Sequence, residues 1–490
     1  MSYLGIDIGS SRVKAVAFSE DGRRLAAAYR HYQYATPSPG FMELDSDAVY
    51  RAALAVIAEC AGAVKTFSPV AAISCSSQGE AFTPLDEAGN ALMPAMISGD
   101  IRATECMRQF AERFGRERLY HITGHTPSAM FSLAKLLWLK EFAPDIKKRS
   151  SRFLCFEDLL AFRLTGRAAM GWPLAGRTML FDINTHTWNH DLLAALELTE
   201  ANLAEPLPSG TAVGPILPVM AGELGLRPDV QWVTGGHDQV IGALGCGAAT
   251  PGMAMYAAGS VECVVPVLQE KTLTPELMNA NLCTYDSALP NCYASVGYSL
   301  TGSNLLEYFM REIVQDKSIS YSTLLNTMPE APTDLLVLPY FTASGTPYFD
   351  AATPGCVYGW RFHTGRGELL KGLLEGVALE MRLNFDFFRN NGVEMQRLIA
   401  TGGGFRDSVA VQLHADVLNM PIAVCDESEA GCRGAAMLAQ RGLGQPTTLP
   451  PPQILSVIQP NQEQAAAYRE KFSHWLRFTN QIRSFATCQS

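Results

Sequence analysis

The distribution of apolar and polar positions predicts strands at the start of the chain and amphipathic helices further along. Residues 3–8 and 13–18 are mostly apolar, β-type runs on either side of a tight Gly9-Ser10-Ser11 turn, and together they predict a hairpin. Between Asp45 and Val64 the apolar residues recur at helical spacing, which predicts an amphipathic helix. Another helix is predicted from Gln462 to Phe485, as a peripheral brace.

A further apolar run, from Val230 to Val233, predicts a strand that stops at the pair Gly235-Gly236. Because glycine tolerates a sharp turn and the close approach of a ligand, the chain can present Asp238 at the start of the following helix. A carboxylate there can take the proton of a substrate hydroxyl as its oxygen attacks phosphorus. The alternative is a polar turn that caps the helix, with Asp238 favoured by the helix dipole.

The opening hairpin has a counterpart in the second half of the chain. Residues 253–265 again form the pattern of strand, small-residue turn and strand, with Ala258-Gly259-Ser260 at the turn. Just before them, Thr250-Pro251-Gly252 ends a helix and predicts a domain boundary. The repeat suggests two similarly built halves that face one nucleotide, although each segment alone also fits an ordinary hairpin.

Length and composition narrow the class of protein. A chain of 490 residues is too long for one core and predicts two large domains. Its net charge of -10 and the absence of a basic run argue against nucleic acid as a partner. Neither a secretory leader nor an apolar run of membrane-spanning length is present in the sequence, so a cytoplasmic, soluble protein is expected. The twelve cysteines include no Cys-x-x-Cys pair, which favours reduced core residues over a zinc or redox site.

The first turn carries residues suited to a phosphate. The backbone N–H groups and hydroxyls of Gly9, Ser10 and Ser11 can cradle a phosphate group. Asp7 precedes the turn, where a carboxylate can hold Mg²⁺ through water, and Lys14 follows it. An ordinary surface hairpin is the alternative.

Residues Ile6 to Ser11 resemble the first phosphate loop of the FGGY carbohydrate kinases, a family within the actin-like, ribonuclease-H-like ATPase superfamily. The resemblance continues in the family's order through Leu164-Thr165-Gly166, through residues 177–183 with Trp188, and on to Gly235-Gly236-His237-Asp238. It covers nearly the whole chain, from residue 3 to about residue 445.

This resemblance implies an α/β protein of two ribonuclease-H-like domains around a central cleft. Residues 1–248 would form the domain that binds the sugar and carries the first phosphate loop and the catalytic Asp238. Residues 252–445 would form the nucleotide-binding domain, and residues 446–490 a peripheral C-terminal helix.

The resemblance also implies a sugar site. Gln78 and Glu80 occupy the positions of the family's sugar-contacting loop, and Gln239 follows the catalytic aspartate. Asp100 and Arg102 match a second sugar loop, in which Ser98 replaces the usual tryptophan. For Asp100 and Arg102 the spacing alone fits a structural salt bridge at least as well.

For the nucleotide, the resemblance implies MgATP held between the two halves. The second phosphate turn would use Gly259 and Ser260, where Ala258-Gly259-Ser260 replaces the family's Gly-Thr-Ser. Gly402, Gly403, Gly404 and Asp407 would line the adenosine pocket, and Mg²⁺ would lie near Asp7 and Asp238. The family's Gly-Glu-Arg-x-Pro stretch is reduced to residues 344–347.

The implied activity is phosphate transfer from ATP to a small sugar or polyol, with a pentulose such as xylulose favoured. Gln78, Glu80 and Gln239 suit a glycerol- or tetritol-type polyol, whereas Asp100 and Arg102 suit a pentulose. Two further alternatives are a sugar-binding regulator of the same fold that has lost catalysis, and an actin- or Hsp70-like ATPase with a protein partner. The expected partners are the sugar and ATP, with neither nucleic acid nor membrane, and family analogy suggests a homodimer.

Overall fold

The computed structural model describes residues 1–316, 318–350, 352–444 and 449–487. The strands of the first half are β1 (Ser2–Ile8), β2 (Arg12–Ser19), β3 (Arg24–His31), β4 (Glu43–Leu44), β5 (Val70–Ser77), β6 (Phe82–Leu85), β7 (Ala95–Met96), β8 (Arg152–Cys155), β9 (Ala169–Gly171), β10 (Phe181–Asp182), β11 (Thr187–Trp188), β12 (Glu205–Leu207), β13 (Ala212–Pro215) and β14 (Gln231–His237). Its α-helices are α1 (Ser46–Val64), α2 (Thr104–Phe114), α3 (Arg116–Thr123), α4 (Ser132–Phe142), α5 (Pro144–Arg149), α6 (Phe156–Thr165), α7 (Trp172–Gly176), α8 (His190–Ala195), α9 (Pro218–Glu223) and α10 (Asp238–Gly245).

The strands of the second half are β15 (Met253–Ala258), β16 (Glu262–Leu268), β17 (Tyr285–Asp286), β18 (Tyr293–Ala294), β19 (Gly297–Ser299), β20 (Leu336–Leu338), β21 (Cys356–Tyr358), β22 (Arg397–Thr401), β23 (Ile422–Cys425) and β24 (Ile454–Ile458). Its α-helices are α11 (Pro275–Asn279), α12 (Ser303–Tyr308), α13 (Tyr321–Leu325), α14 (Arg366–Asn390), α15 (Ser408–Leu418), α16 (Ala430–Arg441) and α17 (Gln462–Thr487). A π-helical turn at Phe309–Val314 and 3₁₀ turns at Glu200–Asn202 and Gly403–Phe405 complete the described elements.

The two large sheets have the same pattern of parallel and antiparallel strand pairing. In the first sheet the order is β13-β14-β5-β1-β2-β3, where β1 is parallel to β5 and β5 to β14, while β2 and β3 return antiparallel. In the second sheet β19, β16, β15, β22 and β23 follow the same sequence of antiparallel and parallel pairings. The prediction of two similarly built halves is therefore confirmed.

Two helices cross between the halves and join them. Helix α10, from the first half, packs its Val240 and Ile241 in one core cluster with Met255 of β15. Helix α16, from the second half, packs against β1 so closely that a Cβ on Gly5 would lie 1.7 Å from the carbonyl oxygen of Cys432. The crossing holds the ends of both sheets at one place.

Strand β14 differs from its prediction, because it runs through Gly235 and Gly236 to His237 instead of stopping at the pair. The register with β5 shifts between Val233 and Gly236, so the glycines form an irregularity inside the strand. A Cβ on Gly235 would lie 1.7 Å from the carbonyl oxygen of Cys75 on β5. Glycine is thus required for close strand packing, and β14 ends one residue after the pair, at His237, with α10 beginning at Asp238.

The last helix is longer and more deeply packed than the predicted peripheral brace. In α17, Tyr468 and Trp475 are buried, and the Trp475 indole donates to the carbonyl oxygen of Val337 at 2.7 Å. The Lys471 ammonium pairs with the buried Glu375. Helix α17 therefore completes the core around α14. The predicted boundary between residues 445 and 446 lies outside the described residues.

Eleven cysteines in the described ranges are free thiols, and most of them are buried. This agrees with the prediction of reduced core residues. Within those ranges, none of the helices combines the length and apolar character that crossing a bilayer requires.

Candidate functional site

Three parallel strands of the first sheet end at one edge. The register places Asp7 of β1 beside Ser76 of β5, and Ser76 beside Gly236 of β14. Because the carboxyl ends of parallel strands are where α/β folds present ligand contacts, the segments that follow share one site. The predicted residues Gln78, Glu80 and Asp238 follow these strand ends directly.

A cavity of about 520 Å³ opens at this edge. Of the predicted residues, those that line it are Ser10, Gln78, Glu80, Asp238 and Gln239. The second half supplies further wall, including Val261, Cys263 and Tyr298. The cavity thus lies between the halves and brings a residue of the first phosphate turn together with the candidate base.

Asp238 begins α10, and its side chain is 29% exposed. Burial, followed by the negative charges of Asp7 and Glu80, raises the pKa of Asp238 to about 7. His237 Nε2 lies 3.3 Å from Asp238 Oδ1, and His237 Nδ1 lies 2.8 Å from the Tyr285 hydroxyl. A carboxylate held in place beside a cavity, with a pKa near neutrality, is suited to general base catalysis.

Glu80 is held in an uncommon backbone conformation by a buried ion pair. Its φ is +65°, in the left-handed region that non-glycine residues rarely adopt. The carboxylate pairs with the Arg177 guanidinium and accepts from the Ser98 hydroxyl, while Lys135 donates to the Glu80 carbonyl oxygen at 3.2 Å. Such strain is retained where the surroundings fix a side chain for function.

The two glutamines connect the cavity to its neighbours. Gln78 Nε2 donates to the carbonyl oxygen of Gly9 at 2.9 Å, so its amide braces the first turn. Gln239 Oε1 accepts from the Cys263 thiol at 2.9 Å, which is a contact with the second half. Both side chains still line the cavity.

The first turn is closed by its own backbone and leaves its hydroxyls outside. The Gly9 N–H donates to the Arg12 carbonyl oxygen at 3.0 Å, and the Tyr32 hydroxyl donates to the Gly9 carbonyl oxygen at 2.6 Å. Ser10 and Ser11 are exposed. Lys14, predicted beside the phosphates, pairs instead with Glu429 at the start of α16.

Asp7 lies at the junction of the two halves. Its Oδ1 accepts from the Ser76 hydroxyl at 2.8 Å, and burial raises the pKa of the carboxyl group. A Cβ on Gly431 of α16 would lie 2.8 Å from that same oxygen. The position of Asp7 therefore depends on the close approach of α16.

In the second half, the turn at Gly259 and Ser260 and the loop Gly402–Gly404 lie side by side. Strands β15 and β22 are parallel neighbours, with Ala257 opposite Thr401. Gly402 has φ +94°, and a Cβ there would lie 2.5 Å from the Ala258 carbonyl oxygen. Two of the predicted nucleotide segments are therefore brought together, and glycine is required for their contact.

A second cavity, of about 430 Å³, opens beside the glycine loop. Gly403, Gly404 and Asp407 line it, as does Tyr321. The Asp407 carboxylate also caps α15 by accepting from the Val409 N–H at 2.9 Å. Its lining also includes Leu306 and Leu325 together with Glu307 and Arg406, so apolar and charged side chains both lie near the two glycines.

Asp100 and Arg102, predicted to contact a sugar, do not line the 520 Å³ cavity. The Arg102 Nη2 lies 2.6 Å from Asp100 Oδ2 and 2.7 Å from Glu43 Oε1, and Asp100 also accepts from the Met42 N–H. Both charged side chains are 2% exposed or less, and the guanidinium lies over the Phe41 ring. These contacts favour the structural salt bridge over direct contact with a sugar.

Asp7 and Asp238 are the candidate ligands for Mg²⁺. The charge of Asp7 contributes to the raised pKa of Asp238, so the two carboxyl groups lie close enough to interact. Among the described residues, no group of three or more His, Cys, Asp or Glu side chains is arranged to hold a metal ion. Carboxylate oxygens such as those of Asp7 and Asp238 are the kind of ligand that Mg²⁺ takes, with phosphate oxygens and water completing its shell.

Glu157 positions the strand that carries the site. Its Oε1 accepts from the N–H groups of Gly235 and Gly171 at 2.7 and 3.2 Å. Burial raises the pKa of Glu157 to about 8, so the folded protein holds it protonated at neutral pH. Its Oε2 lacks a hydrogen-bond partner among the described residues.

We expect Glu157→Gln to remove part of the pH dependence of stability. The folded-state pKa lies above the ordinary value, so the stability due to this group is complete below about pH 4.5 and is lost as pH rises to about 8. The loss is at most about 1.4 kcal/mol per pH unit. Melting temperatures measured from pH 5 to pH 8 should therefore fall less for Glu157→Gln than for the wild type.

Glu112→Gln, which changes an exposed carboxylate on α2, is the matched control and should follow the wild-type curve. If Glu157→Gln also followed that curve, Glu157 would be ionised in the folded protein.

The three basic side chains of the cavity wall had no predicted role: His125, Arg177 and His237. Arg177 stands in an apolar and small-residue stretch, Leu174-Ala175-Gly176, which is a sign of a paired buried charge. His237 adjoins Asp238 in the chain. For His125 no local signal distinguishes a cavity position from a surface loop.

Comparison with known proteins gives matches over almost the full chain. The N-terminal domain model of the FGGY family of carbohydrate kinases matches residues 2–245, and the C-terminal domain model matches residues 254–443. A relative named xylulose kinase, from Bacillus subtilis (strain 168), is 26% identical over 451 residues, which cover 91% of this chain and 89% of the relative.

Solved structures agree with these matches. A structure described as a xyloylose kinase from Brucella ovis superposes with a TM-score of 0.91 at 28% identity, covering 99% of this chain and 100% of the other. A ligand-bound xylulose kinase from Lactobacillus acidophilus gives a TM-score of 0.93 at 22% identity, with full coverage of both chains, and is similar in fold. The predicted pair of ribonuclease-H-like domains is confirmed at the level of the fold.

Proposed function

Because the chain belongs to the FGGY family of carbohydrate kinases, we propose that it transfers the γ-phosphate of ATP to a hydroxyl of a small sugar, with a pentulose such as xylulose favoured. Asp238 accepts the proton of that hydroxyl as its oxygen attacks the γ-phosphorus. The O–P bond to the sugar forms, the bond to the β-phosphate oxygen breaks, and ADP leaves.

The observation that carries this proposal is that Asp238 and Ser10 line the same cavity. Base catalysis requires the carboxylate within reach of the acceptor hydroxyl, and transfer requires the terminal phosphate on the other side of that hydroxyl. The alternative role of Asp238, as an acid favoured by the dipole at the start of α10, does not require a cavity beside the carboxylate.

For the nucleotide, Gly9, Ser10 and Ser11 bind phosphate oxygens from the first half, and Gly259 and Ser260 bind them from the second. The backbone of Gly402, Gly403 and Gly404 and the cavity beside Asp407 take the adenosine. Bound with ATP near Asp7 and Asp238, Mg²⁺ would neutralise charge on the phosphates. Because both halves line the acceptor cavity, their closure would keep water away from the γ-phosphate.

The acceptor binds to Gln78, Glu80 and Gln239, and Asp100 with Arg102 supports the adjacent loop from behind. A pentulose is favoured because relatives over nine tenths of the chain carry the name xylulose kinase. A glycerol- or tetritol-type polyol is the second candidate, since the glutamine and glutamate residues that suit it are the ones in the cavity wall. We also propose that the N-terminal domain ends, and the C-terminal domain begins, near residue 250.

A panel of acceptors tests the proposal. ADP release would be measured with MgATP and pentuloses, hexuloses, gluconate, glycerol or tetritols, and ³¹P NMR would identify the phosphorylated position. We expect xylulose to give the highest kcat/KM, with little ATP hydrolysis when no acceptor is present.

Each other result points to a defined alternative. A polyol with the highest kcat/KM would favour the glycerol-type kinase. Tight sugar binding without a product would favour a regulator, a possibility motivated by the altered turn at Ala258 and the reduced stretch at residues 344–347. ATP hydrolysis that no acceptor changes would favour an actin-like ATPase.

A further inference from the structure

His125 is a buried histidine in the wall of the 520 Å³ cavity, and its ring nitrogens lack partners within the protein. The residue is 0% exposed and lines the cavity with Glu80, Arg177 and Asp238. Neither Nδ1 nor Nε2 has a hydrogen bond to any of the residues that the structure describes. Since buried polar atoms are almost always paired, the missing partner is to be sought in the cavity.

The imidazole is held in one orientation. Its ring lies 4.8 Å from the Phe131 ring and 5.3 Å from the Tyr285 ring, measured between centroids. The preceding Gly124 has φ +70°, and its carbonyl oxygen accepts from the Thr284 N–H of the second half at 2.9 Å. Aromatic rings and a fixed backbone therefore hold the imidazole in place without contributing a polar contact to its nitrogens.

The imidazole is neutral in this setting. Burial, followed by the nearby Arg177 guanidinium, holds the pKa of His125 well below its usual value. A neutral imidazole has one N–H donor and one acceptor nitrogen, and a carbohydrate hydroxyl likewise donates one hydrogen bond and accepts others. The chemistry of His125 therefore matches a hydroxyl group.

The position of His125 relative to Asp238 bears on which hydroxyl of the acceptor the imidazole can meet. The Tyr285 ring contacts both His125 and His237, the second at 5.7 Å, and His237 lies beside Asp238. The contacts of His125 thus run through Tyr285 and then His237 before they reach Asp238, which puts the imidazole at another point of the cavity wall.

We propose that His125 is a specificity-determining residue that hydrogen-bonds a hydroxyl of the acceptor other than the one phosphorylated. The inference rests on the proposed kinase function and adds to it a requirement on the acceptor, which must carry a second hydroxyl placed to meet the imidazole. An acceptor with that hydroxyl removed or inverted leaves a buried polar group unpaired, which discriminates more strongly than a change of shape alone.

His125→Phe tests this role, because it keeps a planar ring between Phe131 and Tyr285 and removes both nitrogens. With D-xylulose we expect KM to rise roughly 10–100-fold while kcat changes little, as for loss of an interaction made equally in the ground and transition states. Without ligand, the melting temperature should be unchanged or higher, since an unpaired polar group has been removed. A purely structural role for His125 would lower it.

Substrate analogues locate the hydroxyl. 1-Deoxy-D-xylulose, D-ribulose and L-ribulose alter D-xylulose at C1, C3 and C4, respectively. The wild type should discriminate against at least one of them, and His125→Phe should lose that discrimination while keeping the others. Equal losses of kcat/KM for all four compounds, or no loss for any, would overturn the proposal.

Two variants complete the design. His121→Phe makes the same change at an exposed histidine on α3 and should leave kcat/KM unaltered. His125→Asn restores a donor and an acceptor and should recover part of the loss, whereas failure to exceed the Phe variant would contradict hydrogen bonding.

If the wild type releases no ADP with any of the four sugars, a pentulose is not the acceptor, and titration calorimetry with the same sugars decides the role of His125. Sugar binding to the wild type that is at least tenfold weaker in His125→Phe would support the proposed role of His125. Equal affinities, or no binding, would overturn it.

Discussion

Asp238→Asn is expected to lower kcat by roughly 10²–10⁴-fold, the range for loss of a general base. The amide has nearly the size and shape of the carboxylate, but it cannot take the proton as the acceptor oxygen attacks the γ-phosphorus. The pKa of about 7 means that the Asp238 carboxylate has the basicity this step needs near neutral pH. ADP release at saturating MgATP and acceptor would measure the change.

The control is Asp229→Asn, the same substitution at an exposed aspartate that pairs with Arg227 just before β14. It should keep wild-type turnover. Asp238→Asn should have the melting temperature and the acceptor affinity of the wild type, since the rest of the cavity wall is unaltered. Turnover within about threefold of the wild type would be too small an effect for a general base, and would assign Asp238 to helix capping.

Local patterns in the sequence were sufficient to predict much of the fold. The two strand-turn-strand patterns are determined by neighbouring residues, and β1-β2 and β15-β16 form as antiparallel pairs around Gly9 and Gly259. Helix α1 begins after Asp45 and ends at Val64, as its apolar spacing predicts. Hairpins and amphipathic helices are specified over short distances along the chain, so they can be read without knowledge of the rest.

The cavity wall was less predictable because its residues depend on distant partners. Glu80 pairs with Arg177, which follows α7, and the Gly124 carbonyl oxygen next to His125 accepts from the Thr284 N–H of the second half. Asp100 matches a sugar loop of the family, yet its carboxylate is occupied by Arg102, as the spacing alone had favoured. In the sequence the glycine pair of β14 is typical of a turn, but in the structure its close packing against β5 makes it part of the strand.

Gly434→Ala is expected to destabilise the protein strongly, although alanine is the better helix former by about 1 kcal/mol. Gly434 lies inside α16 where this helix crosses α10, and a Cβ there would lie 2.0 Å from the Ile241 carbonyl oxygen. Backbone atoms cannot rotate away as a side chain can, and overpacking typically costs about 1–3 kcal/mol or more, so the clash outweighs the helix propensity. The melting temperature should therefore fall.

The same substitution at Gly62 should have the opposite sign. Gly62 is an exposed glycine inside α1, and a Cβ there would meet nothing within 4 Å, so Gly62→Ala should raise stability by up to about 1 kcal/mol. The Gly434 variant should also lose activity, because Gly431 on the same helix touches Asp7 and a displaced α16 would move that carboxylate. Equal melting temperatures for the two variants in a thermal-shift assay would show that the crossing has room for a methyl group. A lower melting temperature for Gly434→Ala, with a parallel loss of kcat/KM, would show that the contact between the two halves depends on that glycine.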